Sequence, residues 1–230
     1  MSKSTPANAP ITITSFEELH AFASPRRGDH RIFRGVHDSV RHKLLPSVGR
    51  VALRTGVSVA KYEQRVFKVF RETAIPYLSA PPSSVWEWLA LAQHHGLPTR
   101  LLDWTHNPLV AAYFAVERDF SGDSAIYSLS LTETVDEATQ PNPFTVVTVL
   151  RYRRSHITQR IAVQKGLFTV HPDPAVPVES ARVRKAIVPS GVRPILREHL
   201  YRYGISRGSL FPGLDGLASE IAWRYSTEWS

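Results

Sequence analysis

The chain has 230 residues, 43% of them hydrophobic and 10% aromatic, enough apolar material for a domain with a well-buried core. Its 28 Lys and Arg against 20 Asp and Glu give a formal charge of +8, which favours anionic partners: nucleic acid, anionic nucleotides or acidic proteins, with a merely solubilising basic surface as the plain alternative. The absence of cysteine excludes disulfides, thiolate metal sites and a catalytic thiol, and the lack of any run of about 18 apolar residues argues against a membrane partner and suits a cytoplasmic protein.

The opening "MSKSTPANAP" lacks an apolar export core, so residues 1–12 are expected to form a disordered leader and residues 13–230 a single domain. Ser15 and Glu18 make a capping box for a short helix carrying Phe16, Leu19 and Phe22 on one face, with Pro25 as its stop. "HRIFRG" reads as a strand ending at Gly35. From Ser58 to about Leu78 the spacing predicts an amphipathic helix, with Val59, Tyr62, Val66, Val69 and Phe70 inward and Lys61, Arg65, Lys68 and Arg71 outward. "SVWEWLALAQHH" is apolar nearly all round, as a buried helix would be, and Gly96 with Pro98 ends it. The following "LPTRLLDWT" reads as a rigid turn that pins Arg100, Asp103 and Trp104 before a helix capped by Asn107, with Pro108 at its first position.

The second half changes character. "SAIYSLSL", "FTVVTVL", "LFTV" and "KAIV" are β-branched and aromatic runs between turn-rich loops, and they read as strands. A helix over "VRPILREHLYRY" follows, and a last one from about Asp215 places Leu217, Ile221 and Tyr225 on one face. A helical first half with one early strand, then a strand-rich half and C-terminal helices, argues the α+β class.

An arginine closing a strand beside a glycine can reach an anion while the glycine lets a ligand approach the backbone, so Arg34 and Gly35 lead the candidates. The alternative for Arg34 is a strut paired with Asp103 or Asp215. His94 at a helix C-terminus serves either as a structural imidazole or as a base; Arg100 and Asp103, three apart, suit a mutual ion pair; Trp104 suits the core. Gln164 and Gly166 sit in or beside a strand, where the amide could bond a ribose or base edge, or simply mark a bulge. Asp215 suits a helix cap, and Glu220 either a solvated helix face or a stabiliser of a sugar cation. His94, Asp103 and His106 are the only set suggesting a metal, with no recognised ligand spacing behind it. No G-x-x-x-x-G-K-[ST], G-x-G-x-x-G or G-x-S-x-G occurs, which disfavours kinase, Rossmann dehydrogenase and α/β-hydrolase.

Taken together, "FRG" (33–35), "LLPSVGR" (44–50), "LAQHHGLPTRLLDWTHNPLVAAYFA" (91–115) and "SLFPGLDGLASEI" (209–221) resemble the FRG domain family, from about Phe33 to Ile221. Two positions depart from its pattern, His95 in place of a tyrosine and Gly213 in place of an aspartate, which weakens any obligate chemical role there. The resemblance implies a component of a bacterial defence or toxin-like system, related to NAD-dependent ADP-ribosyltransferases that act on nucleic acid or another macromolecule. On that implication NAD is the cofactor and no metal is expected. Arg34, Gly35, Arg100 and Gly166 bind the cofactor; Gln164 or Glu220 polarises the ribose; His94 or Asp103 deprotonates the acceptor. Two other readings stay open: a non-catalytic nucleic-acid or nucleotide-binding module using Lys61, Arg65, Lys68, Arg71, Arg151, Arg153, Arg154 and Arg160, and a metal-dependent phosphoesterase.

Overall fold

The computed structural model describes residues 10–24, 30–153, 162–180 and 182–227. Residues 1–9 of the expected leader, the expected stop at Pro25, and Arg154 and Arg160 lie outside them. The described elements are β1 (Ile11–Thr12), α1 (Phe16–Ala23), β2 (Arg31–Val36), α2 (Val59–Ala74), α3 (Val85–His94), β3 (Leu101–Thr105), α4 (Pro108–Val116), β4 (Ser124–Ser130), β5 (Leu150–Tyr152), β6 (Gly166–Val170), β7 (Val183–Val188), α5 (Arg193–Arg202), α6 (Arg207–Leu210) and α7 (Leu214–Thr227). The strands form one sheet in the order β1-β7-β4-β2-β3-β6-β5, parallel between β1 and β7 and antiparallel elsewhere. The arrangement is α+β, with helices gathered in the first half and at the C-terminus and strands in between. Ile11 and Thr12 pair with Ala186 and Ile187, so the sheet starts inside the stretch expected to be leader.

Side chains alternate across each strand, and the register shows what covers each face. Phe33 and Ile126 meet α1, α4 and α5 in one apolar cluster. On the same face, Leu101 and Phe168 meet α2 and α3 in a second. Two groups of helices therefore stand on one side of the sheet, over different strands. The opposite face is covered by loops around Ile32, Leu102, Trp104 and Tyr127.

Several helix ends follow the sequence rules directly. Ser15, Ser58, Ser84 and Asn107 each accept a backbone N–H of the first turn with their side chain. Gly96, just past α3, sits at φ 86°, the left-handed conformation that only glycine adopts without strain.

The structure corrects four expectations. "LPTRLLDWT" is not a turn: its last five residues form β3, a central strand, because Leu101, Leu102 and Trp104 alternate into buried apolar surroundings on both faces. Of "FTVVTVL" only Leu150 enters a strand, and Val147 is 85% exposed. The inward side of α2 is Glu63, Phe67 and Ala74, while Val69 faces water; a carboxylate takes a core position because Arg100 neutralises it there. On α7 the face of Leu217, Ile221 and Tyr225 is about half exposed.

Candidate functional site

The site begins where the sheet comes apart. β2 and β3 are neighbours, yet Phe33 and Thr105 are their one paired position, and beyond it the strands part. Arg34 spans the gap: its Nη1 donates to the Asp103 carbonyl at 2.6 Å and lies 3.9 Å from Oδ2 of the same residue. Its Nε is buried without a hydrogen-bond partner. Burial pulls the Arg34 pKa down and the Asp103 carboxylate pulls it back up; a guanidinium stays protonated under either influence.

Asp103 is oriented from behind. Thr99 Oγ1 donates to Gln93 Oε1 at 2.7 Å, which fixes the amide so that its Nε2 donates to Asp103 Oδ2 at 2.8 Å. Thr99 Oγ1 is itself held by the Leu101 N–H at 3.1 Å. The Asp103 side chain is nevertheless 60% exposed, so its carboxylate is both aimed and accessible.

Around this pair lies a cleft of about 530 Å³, between α3 and α4 and into the parted strands. It gathers Arg34, Gly35, His94, Asp103, Gln164 and Gly166, which come from positions spread over more than a hundred residues of chain. Lys43, Arg50 and Arg118 add exposed positive charge, and none of the three pairs with a carboxylate among the described residues. His37 and His42 line it with their rings edge to face, 4.4 Å apart. Burial first, and then the neighbouring Arg118 for His37 and His37 for His42, push both imidazoles below the usual histidine range. A cleft with four cations and two carboxylates, Asp103 and Glu117, selects anions.

Gly35 lines this cleft, but its main reason for being glycine is packing. A Cβ there would stand 1.8 Å from the Ala111 carbonyl oxygen and 2.6 Å from the Ala115 nitrogen, so the bare backbone lets α4 lie against β2. The Gln164 side-chain amide donates to the Leu210 carbonyl at 3.0 Å, while the Gln164 backbone carbonyl accepts from Thr105 Oγ1 at 2.7 Å. It therefore ties the cleft wall to α6 and has less freedom to meet a ligand than the sequence suggested.

Three candidates stand elsewhere. Arg100, just before β3, is buried against Glu63, with Nε and Nη2 at 3.0 and 2.9 Å from Oε2, and its expected ion pair with Asp103 does not form because the Asp103 carboxylate is instead exposed beside Arg34 and Gln93. Glu220 accepts the Gly208 N–H at 2.6 Å and the Ser206 hydroxyl, closing the turn into α6 rather than facing the cleft. Asp215 is exposed in the first turn of α7, leaving Asp103 as the partner of Arg34.

Of the phosphate-binding candidates, Lys61, Arg65, Lys68 and Arg71 lie exposed along α2, Arg153 is exposed after β5, and Arg151 is half-buried with Nη1 on the Leu131 carbonyl. Among the described residues no group of three or more His, Asp or Glu is placed to hold a metal, and His106 stands outside the cleft. The sequence reading missed Gln93 as the support of Asp103, and His37 and Arg118. Only Gln93 left a signal, one helical turn from the buried Leu89 and beside His94.

Residues 29–124 match the family model of the FRG domain. The match includes "FRG", "LLPSVGR" and the long central motif and stops before "SLFPGLDGLASEI", so it is narrower than the resemblance read from the sequence. No curated protein and no solved structure matches the chain.

Proposed function

We propose, from the premise that the chain carries an FRG domain over residues 29–124, that its cleft binds NAD and that the protein transfers ADP-ribose to a macromolecular acceptor. The observation that carries this reading is the Arg34–Asp103 pair: a guanidinium on the cleft wall, held by the Asp103 carbonyl, beside an accessible, oriented carboxylate, in a cavity of the size that takes nucleotide-like ligands. Arg34 meets the diphosphate, helped by the positive mouth of Lys43, Arg50 and Arg118. Asp103 faces the ribose and stabilises the positive charge that develops as the bond from C1′ to the nicotinamide nitrogen breaks, its electron pair leaving with nicotinamide. The acceptor nucleophile forms the new bond to C1′ and yields its proton to His94, at the end of α3 on the cleft wall. Asp103 thus takes the role first assigned to Gln164 or Glu220.

Incubation with NAD labelled in the adenylate, beside single-stranded DNA, duplex DNA, RNA and protein acceptors, tests this. Label is expected on one acceptor class, lost in a folded Arg34→Ala variant. Transfer to none of them, with no nicotinamide released, overturns the transferase. The second reading, a non-catalytic nucleic-acid module, rests on the exposed cations of α2 and requires steep salt dependence with no response to NAD.

A further inference from the structure

Away from the cleft, α2 forms one wall of a groove of about 840 Å³ whose other side is the turn at residues 141–144. Its floor is aromatic: Phe67 and Trp88 are almost fully buried, and Phe144 lies 5.4 Å from Phe67 between centroids. Over these rings sits Arg71, its guanidinium carbon 5.8 Å from the Phe67 centroid and 5.7 Å from that of Trp88. The rings hold one side of the guanidinium in place, and Arg71 pairs with no carboxylate among the described residues. Arg71 is exposed and lines the groove.

The flanking charge is mostly positive, with Glu72 alone of opposite sign on this helix face. Lys61, Arg65 and Lys68 are exposed along the same helix, and the one exposed carboxylate among them, Glu72, stands a loose 3.9 Å from Lys68. Gln64 and Asn142 place side-chain amides on the walls. Cations along a track, a flat guanidinium held by aromatic rings and amides beside it are the elements by which proteins hold unpaired bases and their phosphates. A duplex keeps its bases stacked inside, out of reach of such a recess, and Asp or Glu side chains match the cations without bringing a ring to stack on the guanidinium.

We infer that this groove docks single-stranded nucleic acid, with a base stacked on Arg71 and the phosphates on Lys61, Arg65 and Lys68. The site deepens the nucleic-acid reading of α2, and it does not depend on NAD chemistry. It also lies close to the cleft. α3 carries Trp88 on the groove floor and His94 on the cleft wall, and six helical residues rise only about 9 Å.

Fluorescence anisotropy with a labelled 12-nucleotide single strand, as DNA and as RNA, tests the inference without NAD. The comparison ligands are a duplex of that length and an abasic deoxyribose-phosphate strand of that length. The single strand is expected to bind at least about 10-fold tighter than the abasic strand. Arg71→Ala is expected to weaken it about 10-fold and to lower the slope of log K against log salt by about 1, whereas Arg71→Lys keeps the slope and loses most of the affinity. Arg202→Ala, on α5 and outside both the groove and the cleft, is expected to leave it within about 2-fold. Thermal melts confirm that each variant is folded. Equal binding of the abasic strand, preference for the duplex, an unchanged affinity in Arg71→Lys, or loss of binding in Arg202→Ala each overturns the inference. A failed transferase assay leaves all of these outcomes readable.

Discussion

Two arginine–carboxylate pairs draw on the same short stretch of chain and do opposite things. Arg100 with Glu63 is sealed, with side chains 2% and 0% exposed, and Arg34 with Asp103 stands open, at 18% and 60%. The sealed arginine spends its remaining donors on the carbonyls of Pro143, His171 and Pro172, and its carboxylate also accepts the Arg100 backbone N–H at 2.6 Å. The open arginine is held by one carbonyl, that of Asp103, and lines the cleft. Satisfaction, rather than residue type, separates a strut from a site: the first pair has little left with which to recognise a ligand, and the second has a donor, an aimed carboxylate and room.

The comparison breaks hardest at its dry end. Replacing Arg100 by Met leaves the Glu63 carboxyl, already pushed up by burial, without its cation, and is expected to cost about 4 kcal/mol in urea unfolding. Gly35→Ala drives a methyl into the Ala111 carbonyl and is expected to cost about 3 kcal/mol by the same measurement, showing that the glycine serves helix packing.

His171, whose carbonyl receives Arg100, sharpens the contrast through pH. Burial first, and the Arg34 and Arg100 charges after it, hold its pKa at about 4 against the ordinary histidine value of 6.5. Its neutral ring, 3.0 Å from Thr169 Oγ1, is compatible with the fold, and the unfolded chain takes up a proton that the native state refuses. The contribution is thus fully present above about pH 6.5 and lost as pH falls toward 4, by about 3 kcal/mol in total. Urea midpoints measured from pH 7 to 4 are expected to fall, and to fall less in His171→Gln.

At the open end stability should hardly notice. Asp103→Asn is expected to change unfolding free energy by less than about 1 kcal/mol, since its ion pair is long and solvated. It is nevertheless expected to abolish ADP-ribosyl transfer, and Gln93→Leu to lower the turnover number more than it changes KM, by releasing a carboxylate that Gln93 only aims. A stability loss from Asp103→Asn as large as that from Arg100→Met would make the two pairs equivalent and remove the distinction.

Much of this was open to reading in one dimension. Capping is local, so Ser15, Ser58, Ser84 and Asn107 announce their helices and Gly96 announces an end. Arg34, His94 and Asp103 stood out by their setting between apolar runs, and all three line one cleft. The face of α2 was misread because a buried Glu63 scores as polar in any periodicity, and its partner lies 37 residues away. β3 was misread as a turn because Leu97 and Pro98 precede it, although its apolar residues alternate with both cores.

The sequence by itself determined the class of fold, the helix ends, the basic charge and the family resemblance, because propensity, capping and composition act within a few residues of chain. Tertiary structure alone decided which carboxylate each arginine meets, that β2 and β3 part after a single pair, and that Gly35 belongs to a helix–strand contact. Those outcomes depend on burial and on partners brought together from distant positions, and desolvation makes the choice of partner an energetic matter only once the chain has folded.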